Sequence, residues 1–180
     1  MKTSMKLHTT LLPTLFIFLC LYYVGCSDKS ESENGKVDTG KQVGTEMVAQ
    51  DTVRLEITGN DQMQYDRKKL HAPAGALVIL TLKHVGTMAK TVMGHNWILL
   101  KQGIDLAQFA TDALQAKASD YIPPSRAGDI IAHTKLLGGG ESDSVTFMAP
   151  SIGSYQFLCS FSGHYGTMNG KFIVEGKSHS

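Results

Sequence analysis

Short runs of β-forming residues, each closed by a turn signal, occupy most of residues 52–176 and leave few folds open to the chain. TVRLEI (52–57) alternates and is rich in β-branched residues, and NDQMQY adds a second short strand after a turn at 59–60. ALVILTLKHV (76–85) is a longer, nearly continuous apolar strand, and NWILL (96–100) is another. DIIAHTKLL (129–137), DSVTFMA (143–149), GSYQFLCS (153–160) and GKFIVEG (170–176) complete the set, with turns at 72–75, 138–140, Pro150 and Gly153. Seven to eight such strands predict an all-β, antiparallel Greek-key sandwich or barrel. One stretch breaks the pattern. DLAQFATDALQAKASDYI (105–122) sets Leu106, Phe109, Ala110, Ala113 and Leu114 at helical spacing, which predicts one inserted helix near 105–118, packed outside the sandwich.

The N-terminal stretch is not fold. It carries Lys2 and Lys6 and then runs apolar over residues 11–24, the pattern of a signal peptide covering 1–25. Gly25 followed by Cys26 resembles a lipobox, in which cleavage precedes an acylated cysteine, although Tyr23 is a poor match upstream. An ordinary secretory signal is the alternative; both export the protein. Residues 26–50 are polar and charged, too poor in apolar side chains to fold, and read as a tether from a lipidated Cys26 to a domain at 51–180. Removing Lys2 and Lys6 from the 17 basic residues leaves 15 against 16 acidic ones, a net charge of −1, and with it no electrostatic footprint for nucleic acid.

Of the three cysteines, Cys20 leaves with the signal and Cys26 is taken by the lipid, so Cys159 is the one thiol of the domain. It opens CSFSGHYGTM, with His164 and Met168 in the same loop. A Cys159–His164 nucleophile–base pair would lack an orienting group and an oxyanion site, and would leave Met168 idle. A thiolate, an imidazole and a thioether instead suit copper and exclude calcium and magnesium. The two-His, one-Cys plane with a distant Met is the blue-copper arrangement, and it asks for a second histidine on a rigid element. His95 in VMGHNWILL, after Gly94 and entering an apolar strand, supplies it; His71, His84, His133 and His179 have no comparable setting, and His84 and His133 read as structural. Trp97 reads as core, and Met63, Met88 and Met148 as packing residues.

ITGNDQMQY, VMGHNWILL, IAHTKLLGGGESDSVTF and CSFSGHYGTM resemble the blocks of the azurin family, blue copper proteins of cupredoxin-like fold, in order and across residues 52–175. The resemblance implies His95, Cys159 and His164 as equatorial copper ligands, Met168 as a long axial ligand and the Gly94 carbonyl as a weak second one. It implies that Asn96 bridges the two ligand loops, and on physical grounds backbone N–H groups near Phe161 are expected to donate to the Cys159 sulfur. It also implies one-electron transfer, cycling Cu(II) and Cu(I), in the periplasm or at the envelope. The partners would be transient redox proteins such as c-type cytochromes or copper-containing reductases, meeting an apolar patch of Met93, Leu114, Phe161 and Tyr165 around an exposed edge of His164.

The competing reading is a copper protein for storage or delivery without redox cycling. No methionine-rich run of the kind that suits exchange is present. An oxidase or nitrite reductase would need a second histidine set, so no enzymatic role is expected. The sequence also departs from the family. Val53 and Ala76 stand where a disulfide is usual, Ser162 where proline is common, and Tyr165 where a small residue is usual.

Overall fold

The computed structural model describes residues 51–177. The signal, Cys26, the tether and His179 lie outside the described residues. Nine strands are present among the described residues: β1 (Thr52–Asn60), β2 (Gln64–Tyr65), β3 (Lys69–Pro73), β4 (Leu77–His84), β5 (Ile98–Leu100), β6 (Ile130–His133), β7 (Ser142–Met148), β8 (Gly153–Leu158) and β9 (Asn169–Glu175). They form two sheets, ordered β2-β1-β4-β7 and β3-β9-β8-β5-β6.

Two features differ from the expectation. The ninth strand is β3, which the proline at its end disguised as a turn; it alternates, with Leu70 and Ala72 buried. The sheets are also mixed rather than antiparallel, because β1 pairs with β4 and β3 with β9 in parallel. These two facts have one cause. Parallel neighbours need a crossover, and the chain between β1 and β4 makes it by pairing β3 into the opposite sheet.

Alternation decides what each strand buries. In β4, Val78, Leu80, Leu82 and His84 turn inward, while Ile79 and Thr81 stay half-covered and Lys83 is exposed. From the second sheet come Tyr155, Phe157, Phe172 and Val174. Trp97 lies among them, its ring 6.0 Å from Phe147 and 5.8 Å from Phe157, with its Nε1 lacking a hydrogen-bond partner. Val53 and Ala76, where the resemblance leads one to expect a disulfide, pack into this same core beside the eight-pair β1–β4 ladder.

All three residues of β5 are buried, since its second face is covered as well. The cover is helix α2 (Leu106–Leu114), which follows a four-residue helix α1 (Lys90–Met93) that periodicity is too short to reveal. Asp105 caps α2 by accepting the Gln108 N–H at 2.8 Å. Phe109 and Ala110 pack on Ile98, Leu100 and Leu158, so the helix lies outside the sandwich as expected, though it ends before 118. Burying Phe109 contributes about 2–3 kcal/mol. Strands β1, β4 and β8 finish, and β9 begins, at one end of the sandwich, where Gly59 faces His84 and Leu158 faces Asn169.

Candidate metal centre

Three segments meet at that end: residues 59–65 around the β1–β2 turn, residues 94–97 before β5, and the loop 159–168 between β8 and β9. The 94–97 segment is held by a two-bond bridge, His95 N–H to the Leu137 carbonyl at 3.0 Å and Leu137 N–H to the His95 carbonyl at 2.7 Å. This use of residues 134–137 explains why β6 stops at His133 and not at Leu137. The loop closes on itself: Cys159 N–H donates to the Met168 carbonyl, and Met168 N–H to the His164 carbonyl, both at 2.8 Å. Gly163 takes φ +81° in that loop, a conformation glycine adopts without steric cost.

His95 Nε2 lies 2.9 Å from the Asn60 carbonyl. A carbonyl only accepts, so Nε2 carries the proton and Nδ1 is left with a lone pair. That Nδ1 sits 3.2 Å from Nδ1 of His164, which is 3.6 Å from the Cys159 sulfur. The three donor atoms lie within 4.8 Å of one another, on residues that are all buried. Two borderline nitrogens and one soft sulfur converging in a buried space make a donor set that fits a copper ion. The Gly94 carbonyl lies 3.8 Å from the same sulfur.

Burial shapes the protonation of all three. It pushes the Cys159 thiol up to about 12, against the pull of the Asn96 and Phe161 backbone N–H groups that point at the sulfur. The lone thiol is therefore protonated and inert at neutral pH. Burial, with the charges of His95 and His84 adding to it, brings His164 down to about 4. His95 is lowered too, chiefly by burial, while the Asn60 carbonyl opposes the shift. Both imidazoles are neutral at pH 7 and able to donate lone pairs.

Around these groups lies a tight support. Met168 is fully buried; a Cβ placed on Gly59 would stand 3.2 Å from its methyl carbon and 2.8 Å from Cδ2 of His95. Gly59 is thus a residue of the site, and its one sequence signal is a glycine inside a strand. Asn96 links the two ligand segments: its Oδ1 accepts the Ser160 N–H at 2.9 Å, and its Nδ2 donates to Ser160 Oγ at 2.9 Å. The Tyr65 hydroxyl donates to the Asn96 carbonyl. Burial, then the neighbouring Cys159, pushes that phenol well above its ordinary value, so it remains a donor. His84 stacks on His95 at 4.2 Å, with Nε2–H given to the Met93 carbonyl at 2.7 Å and Nδ1 accepting from Gly86 at 3.1 Å. Sequence reasoning passed over Gly59, Asn60, Tyr65, Thr134 and Ser160, because their contributions are backbone carbonyls, close approach or hydroxyls.

At the surface, Leu114 and Tyr165 are exposed and line a cavity of about 310 Å³ with Phe161, while Met93 is half-buried. His164 keeps 2 % exposure and His95 none. The three methionines read as packing residues are not: Met63, Met88 and Met148 are all exposed. Met63 and Met88 lie on adjacent turns, since Asp61 accepts the Thr87 N–H at 2.8 Å, and Val92 on α1 is exposed as well. His133 lies away from the cluster on β6, its Nδ1 3.1 Å from the Thr134 carbonyl, and His71 on β3 pairs with Glu175 at 3.0 Å.

Known proteins resemble this chain in sequence and in structure. It is 46% identical over 121 residues to an azurin of Achromobacter denitrificans, covering 63% of this chain and 78% of that one. It is 38% identical over 127 residues to an azurin of Pseudomonas chlororaphis, covering 68% and 98%. Auracyanin A, a "blue" copper protein of Chloroflexus aurantiacus, superposes with a TM-score of 0.61 at 36% identity, over 69% of this chain and 99% of that one. The model of the plastocyanin/azurin family matches residues 51–175, and the chain belongs to that family of copper-binding proteins.

Proposed function

We propose that this protein is a one-electron carrier whose single copper ion is held by Nδ1 of His95, Nδ1 of His164 and the sulfur of Cys159. Met168 and the Gly94 carbonyl would add weaker contacts to the ion. The observation that carries this reading is the convergence of three buried donors within 4.8 Å, on segments tied to one another by Asn96 and Ser160. A copper ion held there would supply a Cu(II)/Cu(I) couple. The chain's part is to hold the donors in one arrangement for both states, so that little moves when the electron does. The 94–97 bridge, the closed ligand loop and the Asn60–His95 bond do this, and burial keeps water away.

Delivery or storage would favour exposed ligands that exchange the ion, whereas these are nearly inaccessible. Reduction of the copper-loaded protein tests the choice. A carrier takes up one electron per copper and keeps the ion through repeated cycles; release of copper on reduction would favour delivery.

The apolar surface of Leu114, Phe161 and Tyr165, with Met93 as a further proposed member of the docking face, suits transient docking of a redox protein such as a c-type cytochrome or a copper-containing reductase. Small, weakly charged contacts release quickly. The location follows from the N-terminal signal: export, cleavage before Cys26, acylation, and a tether over 26–50 that leaves the 51–180 domain at the envelope.

A further inference from the structure

Tyr65 closes the short strand β2, and its hydroxyl reaches across the site to the residue that follows His95. We propose that Tyr65 is a positioning residue of the copper centre: by holding the Asn96 carbonyl it fixes the angle at which the Asn96 N–H meets the Cys159 sulfur. It thereby sets the site's preference for Cu(I) over Cu(II). This rests on the copper ligands proposed above.

Two peptide planes connect Tyr65 to the sulfur. The Asn96–Trp97 peptide is pinned at both edges, its carbonyl by the Tyr65 hydroxyl and its N–H by Oγ1 of Thr134 at 2.9 Å. A peptide unit is planar, so two anchors on opposite edges fix its orientation. The preceding His95–Asn96 peptide has its carbonyl held by the Leu137 N–H at 2.7 Å, and its own N–H points at the sulfur. Asn96 therefore joins two peptide planes, one held at both edges and one at its carbonyl, and freeing the first lets the second tilt its N–H about the Leu137 bond. Tyr65 is well placed to hold its end. It is almost fully buried, pairs with Gly59 in the β1–β2 register, and packs edge-on against Phe157 at 5.8 Å. The same turn thus grips the His95 segment three times: Gly59 against the imidazole, Asn60 on Nε2, and Tyr65 on the next carbonyl.

An N–H donated to a thiolate lowers the energy of the sulfur lone pairs and favours the more electron-rich reduced state. Loosening it weakens that preference by about the worth of one hydrogen bond, a factor of about three to ten. A merely structural tyrosine would not do this. Tyr155 offers the comparison: it too is buried, and its hydroxyl donates to the Ser151 carbonyl at 2.8 Å, at the opposite end of β8 from Cys159.

The test compares Tyr65→Phe, Thr134→Val and Tyr155→Phe in the full chain. Tyr65→Phe is expected to reduce the ratio of Cu(I) to Cu(II) affinity about three- to tenfold. It should also move the thiolate charge-transfer band to longer wavelength and speed hydrogen exchange at the Asn96 amide of the metal-free protein. Thr134→Val releases the other edge of the same peptide and should act in the same direction; it decides the matter if Tyr65→Phe does not fold. Tyr155→Phe should cost stability without moving the affinity ratio or the band. Unchanged ratio and band in Tyr65→Phe, or equal shifts in Tyr155→Phe, would overturn the proposal. A wild-type protein without any thiolate band would instead overturn the ligand assignment, with amide exchange in the metal-free protein still reporting on Tyr65.

Discussion

Asn96 and Ser160 grip each other across the metal site, Ser160 N–H on Asn96 Oδ1 and Asn96 Nδ2 on Ser160 Oγ, each at 2.9 Å. The serine hydroxyl, with one proton to give, spends it on the Tyr121 carbonyl at 2.7 Å. Every polar atom of the contact is used, and it joins the segment of His95 to that of Cys159. Asn96→Ala would leave the buried Ser160 N–H without a partner, while the Ser160 hydroxyl keeps its bond to Tyr121, at a cost of about 1–3 kcal/mol. Thermal unfolding should show that loss, with copper-loaded protein losing more than metal-free protein because the donors are no longer held together. Equal losses in both forms would mean that the contact supports the fold alone.

Acid should weaken the metal-free protein in a defined window. His164 stays neutral in the fold down to about 4, whereas an unfolded histidine takes its proton near 6.5. Below 6.5 the unfolded state therefore binds the proton that the folded state refuses, and stability falls until the pH passes about 4. This one group accounts for as much as about 3 kcal/mol, and the lowered His95 acts in the same direction. Denaturation curves across that range check it. Copper should abolish the uptake on these rings, and because the thiol is protonated up to about 12, binding at pH 7–8 should release one proton per ion. Copper uptake without proton release would exclude the thiol as a ligand.

Leu114 stands exposed beside the cavity formed with Phe161 and Tyr165. A lysine there places charge on the proposed docking face without touching a donor. Leu114→Lys should slow self-exchange and exchange with partner proteins and leave the absorption spectrum unaltered. Rates that stay the same, while substitution of His133 lowers them, would move the exit for electrons to another face.

Cys26→Ser tests the anchor. One acyl chain binds a membrane only marginally, so retention depends on the several chains of a bacterial lipoprotein. The variant should pass from the membrane fraction to the soluble one. Unchanged fractionation would exclude lipidation at this position.

Much of this molecule is legible in its sequence, and the reasons differ from part to part. Alternation in TVRLEI and ALVILTLKHV announces strands, and 3.6-residue spacing announces α2, because each buries one face. β3 escaped notice since five residues ending in proline carry little periodic signal, and with it went the crossover that makes both parallel pairs. Cys159, His164 and Met168 share one loop and are easily seen together, whereas His95 is brought to them by a β5–β8 pairing that spacing does not encode. The carbonyl of Asn60 and the bare Cα of Gly59 act through backbone that any residue type shares, so only the fold reveals them. Met63 and Met88 look like core residues by type, yet they sit on turns and meet solvent.

The central claim is that the Cys159 sulfur, with His95 and His164, binds copper as a thiolate. Adding Cu(II) to the wild-type protein and to Cys159→Ser, and recording the visible spectrum of each, tests it most directly. The wild type should show an intense band toward the red end of the visible, saturating at one ion per chain, and the variant no such band. A copper-loaded Cys159→Ser protein that stays blue would contradict it.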